Sequence, residues 1–344
     1  FMREWLALYE SKSGERGIFN RKSAIKQASK NGRRDVEQEF GCNPCSEIIL
    51  RPYQFCNLTE VVVRESDTEE TLIQKVKLAT ILGTYQSTLT DFKYLRKIWK
   101  DNTEEERLLG VSLTGIMDNA LLSGKSARIG NNIEGLLTKL RETAVETNRK
   151  VSAKLGIPQS TAVTTVKPSG TVSQLVDSAS GIHARHNPHY IRTVRGDNKD
   201  PLTQFMVAQG IPSEPDVMKP QSTTVFSFPM QAPSTAVFRQ DMTAIEQLDI
   251  WLKYQTYWCE HKPSVTISVK EHEWLEVGAW VYEHFDEVSG ISFLPFSEHT
   301  YKQAPYQDCT EVEYKEMLNK MPKGIDWRAL SEFEKEDTTS GSRE

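Results

Sequence analysis

The sequence predicts an α/β fold, and three observations carry that expectation. Strand-like and helical patterns alternate along most of the chain, which marks crossover units around a mainly parallel sheet. No Gly-rich dinucleotide fingerprint follows any strand-like run, so a barrel is expected rather than an open nucleotide-binding sheet. Hydrophobic residues make up 38% and charged residues 26% of the 344, enough apolar material for a sizeable core.

The elements follow in order. Residues 1–40 are polar and helical in flavour, with Gly14 and Gly17 marking a loop. Residues 41–63 bring cysteines, prolines and β-branched residues together and end in the strand-like run Thr59-Glu60-Val61-Val62-Val63. Over 72–92, Leu72, Val76, Ala79, Leu82, Leu89 and Phe92 recur at three-to-four spacing, which predicts an amphipathic helix. A second helix is expected over 134–155, with Gly156 and Pro158 where a stop belongs. A strand at 162–166, a Pro168-Ser169-Gly170 turn and a helix start at Thr171 come next. Strands at 223–228, 264–269 and 291–296 then alternate with helices at 242–259 and 271–288. Residues 1–326 read as one folded body, and 327–344 as an exposed charged tail.

The bulk numbers exclude several functions. A net charge of −5 offers no basic field for long nucleic acid. No stretch approaches the ~20 apolar residues that span a bilayer. Phe1-Met2-Arg3-Glu4-Trp5 lacks the apolar segment of a signal peptide and does not begin with Met, so a processed or truncated piece is expected. Five cysteines fit reduced cytoplasmic thiols better than a secreted disulfide framework.

Chemistry concentrates at Gly41-Cys42-Asn43-Pro44-Cys45-Ser46-Glu47. Cys42 and Cys45 form a C-x-x-C, but Cys259 and Cys309 stand singly and no histidine pair completes a zinc site, so no metal is expected. If the loop is extended, the side chains of 43, 45 and 47 share one face, because the pattern alternates with period two. That face would carry an amide, a thiol and a carboxylate, suited to radical chemistry on a sugar diol, with Cys56 as a second thiol. An inert buried loop is the other open reading, since cysteine is often a small buried hydrophobe.

Here the sequence resembles the ribonucleotide reductases. Asn43-Pro44-Cys45-Ser46-Glu47 resembles their N-x-C-x-E signature, and Phe55-Cys56-Asn57-Leu58 the segment bearing one redox cysteine. The resemblance implies a ten-stranded α/β barrel, of which this chain would be the C-terminal half, with a finger loop at about 41–58. It implies Cys45 as the radical thiol, Glu47 as base on the 3′-hydroxyl, Asn43 as positioner and Cys56 as reductant, leaving Cys42 without a role. Downstream, Thr165-Val166-Lys167-Pro168-Ser169-Gly170-Thr171-Val172-Ser173 resembles the family's phosphate loop. A glycine turn before a hydroxyl-rich helix start also suits an anion, although Ser and Thr are ordinary helix caps.

The stretch from Ser180-Gly181-Ile182-His183 to Arg195 resembles the adenosylcobalamin-dependent branch, though a plain polar loop would look much the same. No Tyr-Tyr relay for a di-metal partner subunit and no glycyl-radical segment occurs, so adenosylcobalamin is the expected cofactor. The alternatives are the large subunit of a di-metal reductase and a non-catalytic piece of a split enzyme. The implied partners are a ribonucleoside di- or triphosphate, the missing N-terminal half, and a thioredoxin-like or glutaredoxin-like reductant. No membrane and no long nucleic acid are implied.

Overall fold

The computed structural model describes residues 1–14, 16–124, 132–296 and 302–335. The chain opens with α1 (Met2–Ser11), β1 (Gly17–Ile18) and α2 (Arg21–Ser29), the last capped by Asn20, which accepts from the amides of Lys22 and Ser23. β2 (Gly41–Cys42) and β3 (Ile49–Leu50) form a short antiparallel hairpin. β4 (Asn57–Val62), α3 (Glu69–Gln86), α4 (Lys97–Glu106), β5 (Leu109–Thr114), α5 (Ile133–Leu155) and the four-residue α6 (Val172–Leu175) follow. Next come β6 (His189–Asp197), α7 (Pro201–Ala208), β7 (Ser213–Pro215) and β8 (Thr223–Gln231). The chain continues through α8 (Ala244–Lys253), β9 (Thr266–Val269), α9 (Trp274–Glu283) and β10 (Ile291–Pro295). β11 (Tyr306–Asp308), α10 (Glu311–Lys320) and α11 (Leu330–Phe333) complete it.

Two compact units result, Phe1–Arg185 with Ser234–Phe296, and His186–Pro233 with Ser297–Glu344. In the first, β4 pairs in parallel with β5 from Asn57↔Leu109 to Val62↔Thr114. The amides of Leu109 and Val111 donate to Ala162 and Val163, and Thr165 donates back to Val111, so 162–166 lies alongside β5. Val166 donates to Lys262 and receives from Ser264, which brings in the approach to β9. β9 then pairs in parallel with β10, and β1 adds two antiparallel residues. The expected α/β class holds. The described residues supply this run of five parallel strand positions and do not close a ten-stranded barrel.

Every residue of β5 is buried, as a strand covered on both faces must be. Leu109, Val111 and Leu113 share one core with Leu72 and Val76 of α3 and Leu137 and Leu140 of α5. Each such side chain contributes about 1.5–3 kcal/mol by leaving water. α5 stops where the sequence indicates, at Gly156 in the left-handed region (φ 68°). α3 stops earlier than expected. Ser87 turns its hydroxyl back onto the Thr84 carbonyl, and the chain leaves the helix. Leu82 and Leu89, assigned to the apolar face by spacing, stand 66% and 73% exposed. The helix expected over 242–259 ends α-helically at Lys253 and widens into a π turn, Tyr254–Trp258. That turn lets the buried Trp258 indole donate to the Thr165 carbonyl at 2.7 Å.

The second unit is an antiparallel sheet in the order β11-β6-β8-β7. It interrupts the body read from the sequence as 1–326. The stretch read as a tail from 327 is folded in its first part, where Trp327 and Phe333 pack on the Phe205 ring. Residues 336–344 lie outside the described residues. Among the described residues no helix is long and apolar enough to cross a membrane.

Candidate active site

The site grows from the β2–β3 hairpin. Register pairs Gly41 with Leu50 and Cys42 with Ile49, leaving 43–48 as its tip. Asn43 folds that tip: its carbonyl accepts from Ser46 N (2.8 Å) and its side-chain oxygen accepts from Ile48 N (3.0 Å). Ser46 sits at φ 55°, a left-handed position that turns the chain. The tip is therefore a turn. The extended strand that would align 43, 45 and 47 by alternation does not form. Instead the turn leaves Cys45 exposed and sends Glu47 inward, where it is 0% exposed.

Neighbouring strands fix the tip. Ser264 Oγ donates to the Cys45 carbonyl (2.6 Å), while Lys262 N and Thr165 Oγ1 both donate to the Glu47 carbonyl (3.1 Å each). Ile49 N donates to His261 Nδ1 (3.3 Å), so that ring carries its proton on Nε2 and gives it to the Leu109 carbonyl (2.9 Å). Burial first, and then the Arg34 charge, hold His261 well below the usual histidine range. Gly290 packs against the tip so closely that an added Cβ would stand 2.5 Å from Ser46 Oγ. Below, Arg34 and Glu106 form a buried ion pair (2.9 Å) that also reaches Gln54, stiffening the hairpin's exit.

Glu47 meets its charge partner here. Lys167 Nζ donates to Glu47 Oε1 at 2.9 Å, whereas Oε2 is buried with no hydrogen-bond partner among the described residues. Cys56, just before β4, is part-buried; burial chiefly, and next the Glu47 carboxylate, push its thiol up. Lys262 is fully buried, donates from Nζ to the Ser289 carbonyl (3.0 Å) and stands over the Phe19 ring. Burial lowers it to about 8.

The 168–173 loop begins one residue beyond Lys167, so the hairpin tip and the loop are neighbours. Its hydroxyls are not all available. Ser169 Oγ donates to Glu60 Oε2 (2.9 Å) and accepts from Ser173 N (3.0 Å), and Ser173 Oγ turns onto the Ser169 carbonyl. Thr171 makes no side-chain cap, and α6 is only four residues long, so the helix dipole there is weak. Gly170, Thr171 and Val172 face solvent, and their amides make no hydrogen bond among the described residues. The loop thus offers backbone rather than serine hydroxyls. His183 is committed to structure: Nε2 accepts from Thr266 N (3.0 Å), and Nδ1 lies 3.0 Å from the Ser180 carbonyl. His186 pairs with Asp308 at 2.6 Å.

The sequence reading passed over Lys167, Glu60, Thr165, Lys262 and Ser264. Lys167 and Thr165 lie inside the quoted loop motif, and of the two the charged lysine carried the clearer signal.

No family model matches the chain. It is similar to the adenosylcobalamin-dependent ribonucleoside-triphosphate reductase of Euglena gracilis, 28% identical over 302 residues. That match spans 86% of this chain and 40% of the Euglena protein. The enzyme of the same name from Lacticaseibacillus paracasei is 28% identical over 341 residues, spanning 90% of this chain and 45% of that protein. The chain is similar in sequence to adenosylcobalamin-dependent ribonucleoside-triphosphate reductases. It spans less than half the length of these reductases. A crystal structure of a B12-dependent (class II) ribonucleotide reductase superposes with a TM-score of 0.79 at 24% identity, over 97% of this chain and 50% of that one. It shares the fold. The alpha subunit of a class Id reductase from Actinobacillus ureae matches less closely, with a TM-score of 0.56. The family expectation drawn from the 43–47 and 165–173 motifs agrees with these reductase relatives.

Proposed function

We propose that this chain carries the radical thiol, the base and the phosphate loop of an adenosylcobalamin-dependent ribonucleoside-triphosphate reductase. One observation carries the reading. A single hairpin tip presents an outward thiol, Cys45, and an inward carboxylate, Glu47, whose Oε2 is buried and unpartnered. A buried oxygen without a donor is costly unless a ligand supplies one, and a ribose hydroxyl does.

In this reading the thiyl form of Cys45 takes the 3′-hydrogen while Glu47 Oε2 accepts the 3′-hydroxyl proton. The Asn43 amide, its oxygen occupied by Ile48 N, offers its NH₂ to the same hydroxyl. Water leaves C2′, and Cys56 with a thiol from the remainder of the protein delivers two electrons as they join in a disulfide. Cys45 returns the 3′-hydrogen. The amides of Gly170, Thr171 and Val172 hold the phosphates. Glu47 is buried beneath the tip, and a ribose seated against Oε2 keeps water from the radical intermediates. Cys45 fits the cofactor because it is exposed at the hairpin tip. Adenosylcobalamin, when bound, supplies an organic radical by cobalt–carbon homolysis.

The ten-stranded barrel would be completed by the missing portion, and the place of work is the cytoplasm. A thioredoxin-like or glutaredoxin-like dithiol would restore the reduced thiols. The test joins this chain to the rest of the reductase and measures deoxyribonucleotide formation with and without adenosylcobalamin. Corrinoid-dependent turnover that Cys45→Ser abolishes, with nucleotide binding retained, supports the reading. Turnover without corrinoid, or persisting in Cys45→Ser, overturns it.

A further inference from the structure

The proposed reaction gives Lys167 no part, yet its ammonium stands among the charged groups of the site. Nζ donates to Glu47 Oε1 at 2.9 Å, and the main-chain N–H donates to Ser112 Oγ of β5 at 2.9 Å, which fixes the backbone. Its charge also reaches Glu60 of β4, whose Oε2 accepts from Ser169 at the head of the 168–173 loop. Glu60 Oε1, like Glu47 Oε2, is buried without a partner among the described residues. One cation is therefore bonded to one acid and felt by a second, each acid with one oxygen committed and one open, and each tied to a different half of the site.

We propose that Lys167 is a positioning residue of the reaction: it keeps Glu47 ionised, occupies Oε1, and so leaves Oε2 to face the substrate hydroxyl. The inference rests on the reading of Cys45 and Glu47 as the reductase centre. The physical argument is one of burial. A fully buried carboxylate without a cation takes up a proton, and a protonated Glu47 accepts no hydroxyl proton. Lys167 is the cation that hydrogen-bonds to Glu47. Of the other titratable groups around Glu47 and the two lysines, Cys42, Cys45 and Cys56 are thiols and Glu60 is an acid. The Lys262 charge also reaches Glu47, but its Nζ gives its hydrogen bond to Ser289, and Arg34 gives its own to Glu106. Burial works against the charged form of Lys167, but the Glu47 hydrogen bond and the charges of Glu47, Cys45 and Glu60 outweigh it and raise the ammonium. Through Glu60 and Ser169 the same ammonium stands between the base and the phosphate loop, so a substrate seated on the loop meets a base already ionised.

The test uses the intact reductase with Lys167→Met, Lys167→Gln and Lys167→Arg. Lys167→Gln keeps a donor in reach and removes only the charge, so it serves if the methionine variant fails to fold. The acid limb of kcat/KM against pH should move up by roughly one unit or more in the neutral variants. At pH 7 kcat should fall about 100-fold, with nucleotide affinity little changed. Lys167→Arg should restore the wild-type limb. A limb that stays in place in the neutral variants overturns the role.

Infrared difference spectroscopy of isotope-labelled glutamate reads the same charge without turnover. The neutral variants should show a protonated carboxyl band at neutral pH that disappears when Glu47→Gln is added. Absence of that band overturns the role of Lys167 alone, whereas failure of corrinoid-dependent turnover in the parent protein strikes at the reductase reading itself.

Discussion

Ser264 Oγ donates to the main-chain oxygen of Cys45 at 2.6 Å across 219 residues of sequence, so the residue just ahead of β9 sets where the exposed thiol stands. The tip has no other hydrogen bond to the Cys45 backbone among the described residues, and Cys45 itself lies in no strand. Its sulfur is held in place by this contact and by the Glu47 carbonyl two residues on.

Ser264→Ala should therefore uncouple position from stability. One lost hydrogen bond costs about 1 kcal/mol of folding free energy. A thiol displaced by a fraction of an ångström loses far more in reactivity, and kcat in the completed reductase should drop at least about ten-fold. Urea unfolding and steady-state kinetics measured side by side check this. A kcat equal to that of the parent would show that Ser264 does not place the sulfur.

Part of this arrangement was legible in the sequence. The helix over 134–155 was plain because its period is regular and Gly156 stops it, and Asn43, Cys45, Glu47 and Cys56 stood out by type and spacing. Their geometry did not. Alternation along an extended loop was the natural expectation. The positive φ of Ser46 and the pairing of Cys42 with Ile49 instead make a turn in which Cys45 is exposed and Glu47 is buried. Lys167 meets Glu47 across 120 residues, and no local pattern encodes that contact. The second sheet escaped for a similar reason, because β6 finds partners as far away as β11. Leu89 lies beyond the helix stop, which periodicity cannot locate, and Leu82 lies within α3 but off the face that Leu72, Val76, Thr80 and Gly83 bury.

His261 makes stability depend on pH in a stated direction. In the folded chain Nδ1 accepts from Ile49 N and Nε2 donates to Leu109 O, so a second proton on the ring would break the first bond. The folded pKa lies well below the ordinary 6.5, so the unfolded chain binds more protons once the pH falls beneath that value. Stability is thus complete above about pH 6.5 and declines as the pH drops towards the folded value, by up to about 1.4 kcal/mol per unit. Urea midpoints at pH 7.5 and 5.5 measure the decline. His183, also buried and lowered, adds to it with the same sign. His261→Gln should flatten the dependence, and an unchanged slope in that variant would place the proton uptake elsewhere.

Cys45 and Cys56 differ in access as well as in surroundings, and alkylation can separate them. Cys45 is exposed at the tip, whereas Cys56 is part-buried with its thiol pushed up by burial and by the nearby Glu47 carboxylate. The thiolate is the nucleophile, so a raised thiol reacts slowly whatever its exposure. Iodoacetamide at pH 8 should therefore modify Cys45 well before Cys56, as peptide mass spectrometry would read. Glu47→Gln removes the second of the two influences on Cys56 and leaves its burial. The Cys56 rate should then rise modestly without overtaking Cys45. If Cys56 reacted as fast as Cys45 in the parent chain, the carboxylate and the reducing thiol could not share the enclosed space that the reductase chemistry requires.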